Sequence, residues 1–286
     1  MPVVDTHIHI VAADHQRYPF SPDSRGLGEW VTANPVTIEE MILEMSSGGV
    51  DQALLVQASS AYSYDNSYVA DGAEQHPNRF VSICIIDVLA HDAPDTLTHW
   101  VEQRRARGIR LFTTPQPEAP WLDDPRTFPV WERTRELGIP LLVQTFNRHL
   151  PRLYRVIEKF PEIPVAVDHL GNAQLEDGNA PLPELLALAD LPNTHAKFST
   201  VNIYDCEKKG VPIPDYFGPL LERFGSGRLM WGSNYPNTYD RPYAEMVDVS
   251  RQALAYLPAA DREALFGGTA LKLWPELGER GRLDRL

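Results

Sequence analysis

Three histidines and one amide carry the chemistry that can be read from this chain. The first apolar run, VVDTHIHI at residues 3–10, places Asp5, His7 and His9 at alternate positions. Strand side chains repeat with period two, so these three are predicted to share one face. If that face is inward, the two imidazoles offer two nitrogens to one metal ion, a common use of alternating histidines. The competing reading is a pair of strand histidines bonded to backbone; their setting in a buried apolar run favours the ligand or catalytic use. Asp5 lies deeper on the same face and is expected to orient the histidines rather than to react. In IPVAVDHL (163–170), His169 is expected on the face of Val165 and Val167, with Asp168 directed to an outer helix layer. In LMWGSNYP (229–236) the apolar run stops at Gly-Ser and presents Asn234.

These residues need a scaffold that brings distant segments together. Eight short apolar runs have strand length: 3–10, 53–58, 80–87, 108–113, 140–145, 163–170, 194–200 and 228–233. Between most of them lie amphipathic helical stretches. In TIEEMILEMSSGG, Thr37 and Glu40 make a capping box, Ile38, Met41, Ile42 and Met45 form one face, and Gly48 suits the C-cap. Strands apolar nearly throughout, each followed by a helix, are the pattern of parallel βαβ units. Eight such units in 286 residues predict a single closed (β/α)8 barrel over residues 1–286, with an open doubly wound sheet as the alternative. In a barrel of this kind, functional groups gather where the strands end and the βα loops converge.

Composition narrows the partners. Hydrophobic residues make up 43% and charged residues 23%, as in an ordinary globular protein rather than a disordered one. A formal net charge of −13 repels nucleic acid and anionic membranes, which leaves a small molecule as the expected partner. An anionic substrate would need local Arg or Lys to overcome that field. No apolar segment approaches the length of a membrane span, and MPVVDTHIHI lacks the pattern of a secretory signal. Cys84 and Cys206 form neither a disulfide framework nor a CxxC pair, so the cytoplasm is the expected compartment. No heptad pattern stands out, and a homodimer is expected only because symmetric pairs are common.

DTHIH (5–9), DHLG (168–171), WGSNYP (231–236) and LFGGTALKLW (265–274) together resemble the amidohydrolase superfamily, in its amidohydrolase-2 branch, over essentially the whole chain. RYPFSP (17–22), VQASSAYSYDN (56–66) and GIRLF (108–112) are similar to its lactonase subgroup, whose members open carboxylated and sugar-acid lactones. The resemblance implies a distorted barrel hydrolase whose active site is lined by His7, His9, His169 and the eighth-strand position. Most members carry Asp there, as general base or metal ligand. Here it is Asn234, and an amide cannot take a proton at neutral pH. Gln144 likewise stands where many metal-dependent members carry His, so a binuclear centre is not expected.

Three readings of the site follow. In the first, His7, His9 and His169 hold one Zn²⁺ with an open position for water of pKa about 7, and Asn234 orients that water or donates to an oxyanion. In the second, catalysis is metal-independent, a histidine acts as base and Asn234 positions the water. In the third, Asn234 is an engineered replacement of Asp. For the substrate, Arg110 in GIRLF could hold a carboxylate bidentately, or could pair with a barrel carboxylate. Gln144 and Tyr204 are further candidate substrate contacts, with Lys197 and Arg148 secondary. The segments 16–30 and 201–217 read as long substrate-covering loops, from which Tyr18, Phe20, Trp30 and Tyr204 could pack on a small ring. The expected activity is a lactonase-type hydrolase opening a small carboxylated lactone. The alternatives are a decarboxylase or hydratase of a small carboxylic acid, and a barrel that binds a small molecule without turning it over.

Overall fold

Each predicted run forms a parallel strand: β1 (Val4–Ile8), β2 (Gln52–Val56), β3 (Phe80–Ile83), β4 (Ile109–Phe112), β5 (Leu141–Gln144), β6 (Val165–Val167), β7 (Thr194–Ser199) and β8 (Leu229–Gly232). The computed structural model describes residues 1–22, 28–113, 118–172 and 183–278. Strands β1 to β3 form one sheet and β4 to β8 another. Two seams join the sheets, through an isolated bridge from Cys84 to Ile109 and another from Ile8 to Tyr235. At the first seam the Arg110 N–H donates to the Cys84 carbonyl at 2.8 Å; at the second the Asn234 N–H donates to the His7 carbonyl at 2.9 Å. The result is a (β/α)8 barrel, distorted where single bridges stand in for full ladders.

Helices pack outside the strands. Thr37 and Glu40 form the expected capping box on the helix Ile38–Gly48, but the left-handed C-cap is Gly49, one residue beyond the expected Gly48. The segment 201–217 is not a long loop. It folds as the helices Thr200–Lys209 and Ile213–Phe224, the first closed by Gly210 at φ 66° and the second opened by Pro in its first turn. Of the segment 16–30, residues 23–27 lie outside the described residues, and a short helix, Glu29–Ala33, follows them. No helix among the described residues is long and apolar enough to cross a membrane. Cys84 and Cys206 are buried free thiols.

Two apolar clusters show which way each strand faces. Val4, Leu54, Val56, Val81, Ile83, Leu142, Ala166 and Met230 fill the barrel interior with Ala270, Trp274 and Leu277 from the C-terminal helical segment. A larger cluster, containing Ile8, Ile109, Leu111, Val165, Val167 and Trp231, packs between strands and helices. Val4 and Ile8 thus lie on opposite faces although four residues apart. The cause is a register shift between Asp5 and Ile8, where β1 gains a residue against β2. The irregularity turns His7 and His9 inward and leaves Asp5 facing the helix layer, so Asp5 does not share the histidines' face as expected. Its carboxylate accepts from the backbone N–H of His7 and of Ser233 at 2.9 Å each, and from the Tyr243 hydroxyl at 2.9 Å. Asp5 therefore ties β1, β8 and an outer helix together beneath the histidines.

The sixth strand also reverses its expected faces. Val165 and Val167 face the helices, and Ala166 faces inward, so Asp168 continues the inward row. His169 comes inward by another route. Residues His169, Leu170, Gly171 and Asn172 all have positive φ, 52°, 55°, 70° and 45° respectively. For L-residues such a left-handed turn costs roughly 1–2 kcal/mol each, a strain that tends to collect at functional sites.

Candidate active site

A charged layer sits directly above the apolar interior. Asp168, fully buried, is its centre: Arg110 Nε donates to Oδ2 at 2.7 Å, Lys197 Nζ stands 3.0 Å from Oδ1, and His7 Nδ1 stands 3.5 Å from Oδ1. Lys197 also donates to the Thr6 carbonyl at 2.8 Å. Burial alone would raise the Asp168 pKa, but the Lys197 ammonium and the Arg110 guanidinium outweigh it and hold the carboxyl well below its ordinary range. Two cations against one carboxylate leave this layer an excess positive charge beneath the cleft. The expectation that Asp168 faces the helix layer is corrected here. Lys197, a secondary substrate candidate, is instead wholly internal.

Above this layer opens a cleft of about 610 Å³ whose walls include His9, Trp30, Arg110, Gln144, His169 and Asn234. The His7 ring centre lies 5.0 Å from that of His9 and 4.5 Å from that of His169. Distant strands thus bring together the three imidazoles that the sequence singled out. Close approach of β1 and β8 requires Gly232, because a Cβ there would lie 2.9 Å from the His7 Cβ.

Hydrogen bonding sets the tautomers of two rings. His9 Nδ1 lies 2.8 Å from the Val56 carbonyl, which can only accept, so Nδ1 carries the proton and Nε2 keeps a lone pair. His169 Nδ1 lies 2.9 Å from Ser199 Oγ. Burial pushes His9 down to about 3, helped by Arg110, and His169 down to about 4, with Arg110 and Lys197 adding to the effect. Burial likewise holds His7 well below its ordinary value despite Asp168. All three are neutral at pH 7. Among the described residues the buried His7 Nε2 has no hydrogen-bond partner, while Nδ1 faces Asp168 Oδ1 at 3.5 Å.

Asn234 answers to its position at the end of β8. Its φ of 62° is a left-handed conformation that Asn tolerates better than most residues. Its Nδ2 donates to Thr238 Oγ1 at 3.0 Å, which leaves Oδ1 a buried acceptor with no partner. The peptide Tyr235–Pro236 that follows is cis.

The other expected residues divide. Gln144 lines the cleft, its Oε1 accepting from the Thr113 N–H at 3.2 Å. Arg110 is paired with Asp168, the second of its two readings, and it also lines the cleft. Trp30 reaches the cleft, its ring 5.5 Å from that of His9. Tyr204 does not: it is absent from the cleft walls, and its ring lies under the Arg241 guanidinium at 4.2 Å, because the segment expected as a loop is helical. Tyr18 donates to Asp71 at 2.5 Å and Phe20 packs on Tyr62, so both belong to a local core. Arg148 is half exposed, 3.7 Å from Glu118. Asn172 was missed; it lines the cleft with Nδ2 donating to the Thr145 carbonyl at 3.0 Å, and its place directly after DHLG was the available signal.

Among the described residues, no three His, Cys, Asp or Glu side chains stand as a ready-made metal cage. His7, His9 and His169 nonetheless have suitable donor chemistry: neutral imidazoles, with the buried His7 Nε2 unpartnered among the described residues.

The chain is similar to known proteins over most of its length. The family profile described as Amidohydrolase matches residues 4–275. L-fucono-1,5-lactonase of Burkholderia ambifaria is 26% identical over 204 residues, 67% of this chain and 67% of the relative. The 4-sulfomuconolactone hydrolase of Rhizobium radiobacter is 25% identical over 244 residues, covering 82% of this chain and 75% of the relative. A crystal structure from Pseudomonas putida, provisionally designated a 2-pyrone-4,6-dicarboxylic acid hydrolase, superposes with TM-score 0.79 at 21% identity, covering 96% of this chain and 98% of that one.

Proposed function

The chain belongs to the amidohydrolase family, and from that premise we propose that it is a hydrolase opening a small carboxylated lactone. The observation that carries this reading is the convergence of His9, His169, Arg110 and Asn234 on one cleft, with the His7 ring packed against both other imidazoles. The similarity to two lactone-opening relatives supports the reaction class.

In this reading water attacks the lactone carbonyl carbon, the ring C–O bond breaks with a proton passing to the leaving oxygen, and a hydroxycarboxylate and one proton leave. Asn234 cannot take that proton, but its amide lines the cleft and would orient the attacking water. In a metal-free course the Nε2 lone pair of His9, turned away from its backbone anchor, would receive the proton; a bound Zn²⁺ would occupy that lone pair instead. His7, His9 and His169 would hold Zn²⁺, which when bound supplies Lewis acidity and makes water a nucleophile at neutral pH without a carboxylate base. Arg110 is held in place through Nε, which leaves its other N–H groups for a substrate carboxylate or a developing oxyanion. The excess positive charge of the buried layer favours an anion there despite the net charge of −13.

Incubation with a panel of carboxylated and sugar-acid lactones tests the proposal: a ring-opened acid supports it. Carbon dioxide or a hydrated alkene as product would assign a decarboxylase or hydratase instead. Saturable binding with no product, unchanged by Asn234→Asp, would assign a binding protein.

A further inference from the structure

The proton on His169 is dictated by two residues outside the cleft walls. Asn202 Oδ1 lies 2.9 Å from the Ser199 N–H and 3.0 Å from Ser199 Oγ, while Nδ2 lies 3.3 Å from the His169 carbonyl. An N–H can only donate and a carbonyl can only accept, so the orientation of this amide is forced. Its oxygen then faces the Ser199 hydroxyl and can only accept, so the hydroxyl spends its single proton on Asn202. Toward His169 Nδ1, 2.9 Å away, Ser199 Oγ can therefore only accept. All three residues are buried, at 6%, 0% and 4% exposure for His169, Ser199 and Asn202, so water does not compete for these bonds.

From this closed circuit we infer that Ser199 and Asn202 are positioning residues that lock His169 in the Nδ1–H tautomer and so present its Nε2 lone pair to the cleft. The inference deepens the proposed function, on which it rests for the use made of that lone pair. His9 reaches the same tautomer through a backbone carbonyl, which substitution cannot remove; His169 depends on side chains, which makes its lock testable. The circuit also restrains the left-handed turn, since Asn202 holds the carbonyl of its first residue, His169.

The test is a two-bond proton–nitrogen correlation spectrum of the full-length protein labelled with ¹⁵N-histidine, recorded at neutral pH and assigned with His169→Gln. The expected wild-type pattern has the His169 proton on Nδ1, with or without Zn²⁺. Ser199→Ala and Asn202→Leu should each move population to the Nε2–H form, and Ser199→Thr should restore Nδ1–H. For an identified lactone, kcat should fall about 10–100-fold in Ser199→Ala with KM little changed, and recover in Ser199→Thr. A wild-type proton on Nε2 would overturn the inference, whatever the fate of the variants. So would a folded Ser199→Ala that keeps the wild-type tautomer. An Nδ1–H tautomer without turnover of any lactone would uphold the lock while removing the assigned reaction, so the two failures are distinguishable.

Discussion

Asp168 Oδ2 accepts a 2.7 Å hydrogen bond from Arg110 Nε, and this pair joins the barrel interior to the cleft. The carboxylate fixes the guanidinium from below while Lys197 approaches its other oxygen at 3.0 Å. In the proposed function, binding and folding are therefore coupled at Arg110.

Asp168→Asn should be costly. It leaves Arg110 and Lys197 as two buried cations without an anion, and breaking a buried pair in this way typically costs about 3–5 kcal/mol. Urea unfolding should register a loss of that order, partly recovered in Asp168→Asn combined with Lys197→Met. A loss below about 1 kcal/mol, the range of exposed pairs, would show that the layer is not held by charge.

Arg110 should separate binding from folding when its charge is kept. Arg110→Lys retains a cation but cannot reproduce the planar guanidinium fork. The expected result is a KM for carboxylated lactones raised at least about tenfold, the effect of about 1.4 kcal/mol, with a smaller change for neutral sugar lactones. Equal changes for both substrate types would remove Arg110 from carboxylate recognition.

Gly232→Ala should act through His7. The new Cβ would stand 2.9 Å from the His7 Cβ, so β1 must shift. Overpacking of this kind costs about 1–3 kcal/mol, which a barrel of this size should survive folded. Circular dichroism should be retained while lactone turnover falls at least about tenfold, because sub-ångström placement of catalytic groups matters. Unchanged kinetics would show that the seam tolerates displacement.

Acid should destabilise the protein well before its carboxylates titrate. Burial pushes His195 down to about 4, with Arg228 and Lys272 adding to the effect. Its pKa is thus lower folded than the ordinary 6.5, so between these values the unfolded chain binds the extra proton. This contribution to stability is complete above about pH 6.5 and is lost as pH falls toward 4. Denaturation midpoints at fixed ionic strength should decline through that window, where His7, His9 and His169 act in the same direction, and His195→Gln should make the decline shallower. A His195→Gln profile identical to wild type would contradict the assignment.

The sequence disclosed the barrel more readily than the direction of its side chains. Eight apolar runs of strand length were legible because parallel strands are buried on both faces. That same burial hides their parity: nothing in IPVAVDHL distinguishes Ala166 inward from Val165 and Val167 inward. The shift in β1 and the left-handed turn from His169 to Asn172 then alter the phase, and both arise from contacts with neighbouring strands and loops. His7, His9 and His169 were found because imidazoles at strand ends are conspicuous. Ser199 and Asn202 were not, since their roles depend on bonds across 30 and 33 residues to His169. The helical nature of 201–217 was available from Ser199 as cap, Gly210 as stop and Pro214 in the next first turn.

The central claim is that neutral imidazoles in this cleft open a lactone. Its most direct test is proton release at neutral pH from carboxylated and sugar-acid lactones, with chelator-treated and Zn²⁺-resupplied protein, beside His169→Ala and Asn234→Asp. Ring opening by the protein with Asn234 in place is expected, with a loss of at least about 10²-fold in His169→Ala, the scale of an acid–base or ligand group. Turnover unaffected by His169→Ala, or acquired only after Asn234→Asp, would contradict it.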